Sequence, residues 1–223
     1  MELSHTEENY LKAIFKLSEQ DGSPASTNAI SSEISTSAAS VTDMVKRLSE
    51  KELINYEKYK GVTLTEAGRR IATHLIRKHR LWEAFLVDKL GFTWDEVHDI
   101  AEQLEHIKSP ALVERLDQFL GFPKFDPHGD PIPDADGNFA FRKQTPLAEL
   151  CLGEQGVIVG VQDHSTAFLK YLAHQQLVLG TAVKVLERFE YDESLNVEIN
   201  GSPGQTLSKK VCQNLFVQKQ PNG

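Results

Sequence analysis

The feature that most constrains the fold is a change of hydrophobic period within the first third of the chain. Tyr10, Leu11, Ile14, Phe15 and Leu17 recur at helical spacing and predict a helix over residues 6–19, ended by Asp21-Gly22-Ser23-Pro24. Ser26 or Thr27 can cap a short second helix running to Ile34. After a turn at Ser35-Thr36-Ser37, the helical period returns over residues 38–51, with Val41, Met44, Val45 and Leu48 as its buried stripe. Two strand-like runs follow, at residues 53–56 and 62–64, with Lys58-Tyr59-Lys60-Gly61 as the turn between them. Helix, helix–turn–helix and β-hairpin in this order describe a winged helix-turn-helix.

Beyond the hairpin the chain turns helical. Thr65 caps a long helix to about residue 90, with Glu66 in its first turn. Gly91-Phe92-Thr93 breaks it, a further helix is expected from residue 94 or 95 to 108, and Ser109-Pro110 opens another to residue 119. Pro123, Pro127, Pro131 and Pro133, with Gly121, Gly129 and Gly137, make residues 122–138 an extended loop. From Pro146 the texture becomes that of a small, mostly β domain: strands at 156–161, 182–186, 196–199 and 214–217, and one short helix at 165–174. The expected architecture is mainly α with small β parts, divided as residues 1–72, 73–141 and 147–219.

A net charge of −8 argues globally against nucleic acid, but its distribution is uneven. Residues 24–80 hold ten Lys/Arg against six Asp/Glu, a balance of +4; residues 81–141 hold four against thirteen, a balance of −9. One surface can therefore face phosphates while another concentrates carboxylates. No apolar run is long enough to cross a bilayer, and the N-terminus lacks the pattern of a signal peptide, so a cytoplasmic location with no membrane partner is expected. In that reducing compartment Cys151 and Cys212 are not expected to be paired.

The acidic part carries the chemistry. His98, Glu102, Glu105 and His106 have offsets of 0, 4, 7 and 8, one face of a helix, and His79 and Glu83 form an i, i+4 pair on another. Imidazoles and carboxylates without a thiolate suit a borderline-hard divalent ion rather than a structural zinc. The bland alternative is a set of solvated polar positions, since i, i+4 polar pairs are common. In the basic part, Ser37, Ala39, Ser40 and Thr42 lie near the start of the second helix of the helix–turn–helix, Lys46 and Arg47 further along, and Lys58, Tyr59 and Lys60 at the wing tip. Small groups flanked by cations fit groove readout with phosphate positioning, although winged helices also serve as protein-interaction modules.

Several segments together resemble the diphtheria toxin repressor and manganese-transport regulator family. They are Thr6-Glu7-Glu8-Asn9-Tyr10-Leu11, Ser40-Val41-Thr42-Asp43-Met44-Val45, Leu64-Thr65-Glu66-Ala67-Gly68, Arg77-Lys78-His79-Arg80-Leu81, the stretch from Val97-His98-Asp99 to Leu104-Glu105-His106, and Phe125-Asp126-Pro127-His128-Gly129-Asp130-Pro131-Ile132-Pro133. The resemblance covers essentially the whole chain and implies an SH3-like module at the C-terminal end. It implies a repressor that binds double-stranded operator DNA as a homodimer when loaded with Mn²⁺ or Fe²⁺ at two sites per subunit, with no small organic substrate. The primary site would use His79, Glu102, Glu105 and His106, with Asn9 where relatives carry Met or Asp; Glu7 or Glu8 are substitutes for it. Glu102 stands where iron-responding members carry Cys, which favours manganese. Lys12 stands where some manganese sensors place a Glu for a two-metal cluster. A second site is implied at Glu83, Asp126 and His128, with Asp163 of the SH3-like module or His98 as fourth ligand and His164 as a further candidate. The dimer contact is expected on Ile100, Leu104, Ile107, Leu112, Val113, Leu116 and Phe119. Two rivals remain at the level of residues. One is a metal-independent winged-helix DNA-binding protein; the other is a helical metalloenzyme, against which no nucleophile, phosphate loop or cofactor fingerprint appears.

Overall fold

The computed structural model describes residues 3–57 and 60–220, and of residues 19–21 and 203 the backbone only. Contacts divide the chain into two compact units. The first comprises Met1–His79, Glu102–Val113 and Pro133–Phe139; the second comprises Arg80–Ala101, Glu114–Ile132 and Ala140–Gly223.

The first unit opens with α1 (His5–Asp21), whose start is fixed by a capping box: Ser4 Oγ accepts from the Glu7 amide while the Glu7 carboxylate accepts from the Ser4 amide. α2 (Thr27–Glu33) and α3 (Ala38–Glu50) are capped in turn by Ser26 and Ser37. β1 (Ile54–Glu57) pairs antiparallel with β2 (Gly61–Leu64), the wing of the motif. α4 (Glu66–Leu90) follows, and its first turn lies so close to the hairpin that a Cβ at Gly68 would fall 2.0 Å from the Leu53 carbonyl oxygen. Tyr10, Leu11, Ile14 and Phe15 of α1 pack with Val41, Val45 and Leu48 of α3, Val62 of β2 and Ala72 and Ile76 of α4 in one core. Each large aliphatic side chain removed from water there contributes about 1.5–3 kcal/mol. Because α1 packs on both α2 and β2, its position governs that of the helix–turn–helix.

The second unit is built on a six-stranded antiparallel sheet, in the order β3-β8-β4-β5-β6-β7. Its strands are β3 (Thr145–Pro146), β4 (Gln155–Val161), β5 (Ala182–Arg188), β6 (Leu195–Ile199), β7 (Ser202–Leu207) and β8 (Leu215–Lys219). Ile158, Val161, Val183, Val185, Val197, Leu215 and Val217 of the sheet join Leu169 and Leu172 of α7 (Thr166–His174), Cys212 of α8 (Lys209–Gln213) and Trp94 in its core. β7 and α8 were not expected. β7 has no apolar alternation, but Asn200-Gly201, at φ 48° and 77°, forms the two-residue turn that folds it back on β6, and that dipeptide is a hairpin signal.

One expected helix is shorter than the periodicity suggests. α5 spans only His98–Leu104 instead of residues 94–108, and α6 (Pro110–Phe119) follows. Residues 94–96 form turns because the Glu96 carboxylate accepts from both the Thr93 amide and its hydroxyl, tying the chain back before a helix can propagate. Glu105 and His106 lie in the turn after α5, so the four polar residues do not share one helical face.

Candidate metal centres and nucleic-acid interface

The first cluster lies within the first unit. α4 presents buried His79, and the turn after α5 brings in Glu105, which is completely buried. His79, Glu102 and Glu105 each offer a ligand atom, all within 4.8 Å of one another. His79 Nδ1 stands 2.6 Å from Glu105 Oε2. His106 Nδ1 stands 2.6 Å from Glu8 Oε2, its Nε2 lies 3.8 Å from Glu105 Oε1, and its ring stacks on His5 with centroids 4.2 Å apart. Of the two substitutes considered for Asn9, Glu8 reaches this cluster. Glu7 is held elsewhere by Lys51 and the capping box, and Lys51 holds its carboxyl below the usual range.

The donors fit a divalent cation on a further observation. Asn9 Oδ1 is buried and has no hydrogen-bond partner among the described residues. An orphaned buried acceptor costs about 1–3 kcal/mol, which a bond to a cation would offset. The periodicity gave no hint of the cationic partner present: Lys12, one turn beyond Asn9 on α1, places its Nζ 2.7 Å from Glu102 Oε1 and 2.7 Å from Glu105 Oε1. Lys78 also feels Glu8 and Glu105, but burial pulls its ammonium below the ordinary lysine value.

The second cluster lies within the second unit. Buried Glu83 of α4 meets buried Asp126 and His128 of the proline-rich loop, with ligand atoms within 4.8 Å of one another. His128 Nε2 is 2.7 Å from the Trp94 carbonyl oxygen, which can only accept, so Nε2 carries the proton and donates. That leaves Nδ1, 3.7 Å from Glu83 Oε2, as the nitrogen that would give up its proton to a bound cation. Arg80 braces the loop through Asp130 at 2.9 Å and Asp126 at 3.5 Å. The loop itself docks on the sheet: the Val161 amide donates to the His128 carbonyl at 3.0 Å, and Arg142 donates to the carbonyls of Gly129 and Val159.

Three residues were expected near the fourth position of this cluster, Asp163, His98 and His164. Exposed His98 places Nδ1 3.5 Å from Glu83 Oε1. Asp163 accepts from the Ser165 amide at 2.8 Å at the start of α7, a bond that lowers its pKa, and it is not grouped with Glu83, Asp126 and His128. Its neighbour His164 lies beside His128, with ring centroids 5.0 Å apart.

Burial of two acids and an imidazole, with a third acid nearby, has a titration signature. Desolvation, with Asp130 and Glu83 nearby, raises Asp126 from 3.8 to about 7. Burial lowers the His128 pKa, but Glu83 and Asp126 outweigh it and bring His128 from 6.5 up to about 9. Between 6.5 and about 9 these two residues therefore hold more protons in the folded chain than in the unfolded one, and their contribution to stability falls as pH rises. Thermal melts in chelator are expected to show a lower Tm near pH 8.5 than near pH 6.5. A Tm that rises over that interval contradicts the assignment.

On α3, Ser37, Ala39, Ser40, Lys46 and Arg47 are exposed and Thr42 is half-buried. Ser37 Oγ and Ser40 Oγ bond to each other at 2.9 Å, and Thr42 Oγ1 donates to the Ala38 carbonyl at 2.9 Å, so part of the small polar set is satisfied within the helix. Lys60 is exposed beside Glu57 at 2.6 Å; Lys58 and Tyr59 lie outside the described residues. Of the apolar set expected at a dimer contact, Leu116 is buried, Ile100, Leu104 and Val113 are half-buried, and Ile107, Leu112 and Phe119 are exposed.

A winged helix-turn-helix joined to acid–imidazole clusters and an SH3-like module defines a class of metal-responsive DNA-binding proteins, and comparison with known proteins agrees. Residues 2–62 match the family model "Iron dependent repressor, N-terminal DNA binding domain". Residues 65–134 match "Iron dependent repressor, metal binding and dimerisation domain", and residues 145–219 match the FeoA domain. The iron-dependent repressor IdeR of Mycobacterium leprae (strain TN) is 33% identical over 165 residues, 71% of each chain. The diphtheria toxin repressor of Corynebacterium jeikeium (strain K411) is 36% identical over 135 residues, 60% of this chain and 56% of that protein. The match thus spans little more than half of some curated relatives. A solved manganese-dependent transcriptional repressor in complex with manganese superposes with a TM-score of 0.85 at 36% identity, covering 96% of this chain and 99% of that one. The chain belongs to the iron-dependent repressor family, the family of the diphtheria toxin repressor.

Proposed function

We propose that this chain is a transcriptional repressor that binds operator DNA as a homodimer when loaded with Mn²⁺ or Fe²⁺ at two sites per subunit, acting in the cytoplasm on genes of metal-ion homeostasis. The observation that carries the reading is the convergence of buried His79 and Glu105 with half-buried Glu102 in the unit that holds α1, with the orphaned Asn9 Oδ1 on α1 itself. His79, Glu102, Glu105, His106 and Asn9 would hold one ion; Glu83, Asp126 and His128, with His98 or His164, would hold another. When bound, a divalent cation supplies positive charge that offsets the clustered carboxylates. Oxygen and imidazole donors without sulfur favour manganese over softer ions, since Cys212 is buried among apolar side chains of the sheet core and forms no part of either cluster.

The chain's own residues account for the coupling. Glu8 and Lys12 bring α1 to His106, Glu102 and Glu105, and α1 packs on α2 and β2. Ordering α1 therefore orders α3 for the major groove. Metal and DNA must each raise the other's affinity by the same factor. Exposed Ile107, Leu112 and Phe119 support a contact with a second copy. The working division is residues 1–72 for DNA, 73–141 for metal and dimerisation, and 147–219 as the SH3-like module. Operator mobility shifts are expected to need Mn²⁺ or Fe²⁺ and to vanish with chelator, with half-saturation by the two ions under anaerobic conditions setting their order. Binding that ignores chelator sinks the reading and favours a metal-independent DNA-binding protein.

A further inference from the structure

The ammonium of Lys12 touches the same oxygens that the first metal site would use. Its three bonds, at 2.7 Å to Glu102 Oε1 and 2.7 and 2.9 Å to Glu105 Oε1 and Oε2, use the full donor capacity of an ammonium group. The Lys12 side chain is only 19% exposed and that of Glu105 not at all, so solvent screens this contact far less than a surface pair. Lys16, one turn further along α1, makes the opposite kind of pair, with Glu33, its own side chain 56% exposed.

We infer that Lys12 is the resident cation of the first site: it offsets part of the charge of Glu102 and Glu105 in the absence of metal, and a metal must displace it from their oxygens. This inference rests on the proposed reading of the cluster as a metal site. A divalent ion bound to Glu102 Oε1 and the Glu105 oxygens would lie where the ammonium now makes its three bonds, bringing two cations against the same oxygens. The ammonium and the metal are therefore alternatives. Lys12 has two consequences. It ties α1 to the turn after α5 without metal, and it raises the metal concentration at which the site fills. The threshold of the response is thus set by a residue that is not a ligand.

The test measures Mn²⁺ binding by titration calorimetry at fixed pH in full-length protein carrying His128→Ala, which leaves the first site as the one under observation. Lys12→Met is expected to tighten Mn²⁺ binding by about tenfold or more, the equivalent of about 1.4 kcal/mol. The same variant is expected to melt at lower temperature than its parent in chelator and to recover on adding Mn²⁺, because the carboxylates lose the ammonium bonded to three of their oxygens until metal arrives. Lys16→Met removes the same charge from the same helix and is expected to leave the affinity unchanged. Lys12→Gln serves as a second variant if Lys12→Met folds poorly. Equal Mn²⁺ affinity with and without Lys12 overturns the inference and leaves the metal-site reading intact. Absence of Mn²⁺ binding at this site in both proteins overturns the two together.

Discussion

Replacing Glu105 by glutamine is expected to lower metal affinity at the first site at least about a hundredfold, since changes to groups that merely orient ligands cost 10–100-fold. Metal-dependent operator binding should be lost with it. Glu105 is the hub of the cluster: its side chain is fully buried, one oxygen faces His79 at 2.6 Å, and both face Lys12. Glutamine keeps the shape, but it removes the charge and replaces one oxygen with a donor that would face His79 or Lys12. Removing one member of a buried charge pair costs roughly 3–5 kcal/mol; because Lys12 keeps Glu102, the lower end applies here. A circular dichroism melt in chelator therefore belongs beside the binding measurement. A folded Glu105→Gln protein with the parent's Mn²⁺-dependent shift would remove the first cluster from the mechanism. Glu105→Gln and Lys12→Met should move metal affinity in opposite directions although their side chains touch, and a shared folding defect cannot produce that.

What the sequence made legible follows from periodicity and caps. α1 to α4 and the wing were readable because each begins at a Ser or Thr cap or a sharp turn and carries an apolar stripe that ends in one core. The sheet domain was readable in outline from its apolar runs, and β7 escaped because Ser202, Pro203 and Gly204 carry none. At the site, spacing singled out His and Glu residues that do converge, but misjudged their grouping. His98 and Glu102 are four apart, yet His98 stands beside Glu83 while Glu102 joins Glu105, because α5 is too short to carry all four on one face. Lys12 lies ninety residues from Glu102, and no local pattern can reveal a contact of that separation. Asp163 and His164 are adjacent in sequence, and which one lies beside His128 depends on the turn before α7, where the Ser165 amide captures the aspartate.

Gly129→Ala is expected to dismantle the second cluster without touching the first. Gly129 has φ +91°, a conformation that costs an L-residue about 1–2 kcal/mol. A Cβ there would also fall 2.1 Å from the Val159 carbonyl oxygen and 2.5 Å from Gly160 Cα, both backbone atoms of β4 that cannot rotate away. The loop must therefore lift off the strand, breaking the bond from the Val161 amide to the His128 carbonyl and those from Arg142 to Gly129 and Val159. Two of the three buried ligand candidates, Asp126 and His128, sit within three residues of the lesion. Strain and lost bonds together are expected to cost about 3 kcal/mol or more. Metal stoichiometry should fall from two ions per subunit to one, and the loss of stability between pH 6.5 and 8.5 in chelator should flatten as Asp126 and His128 regain solvent. Full stoichiometry in this variant would mean that the loop does not hold the second ion. A protein with one ion that still shifts operator DNA with wild-type metal dependence would confine repression to the first site and leave the second to stabilise the docking of the loop on the SH3-like module.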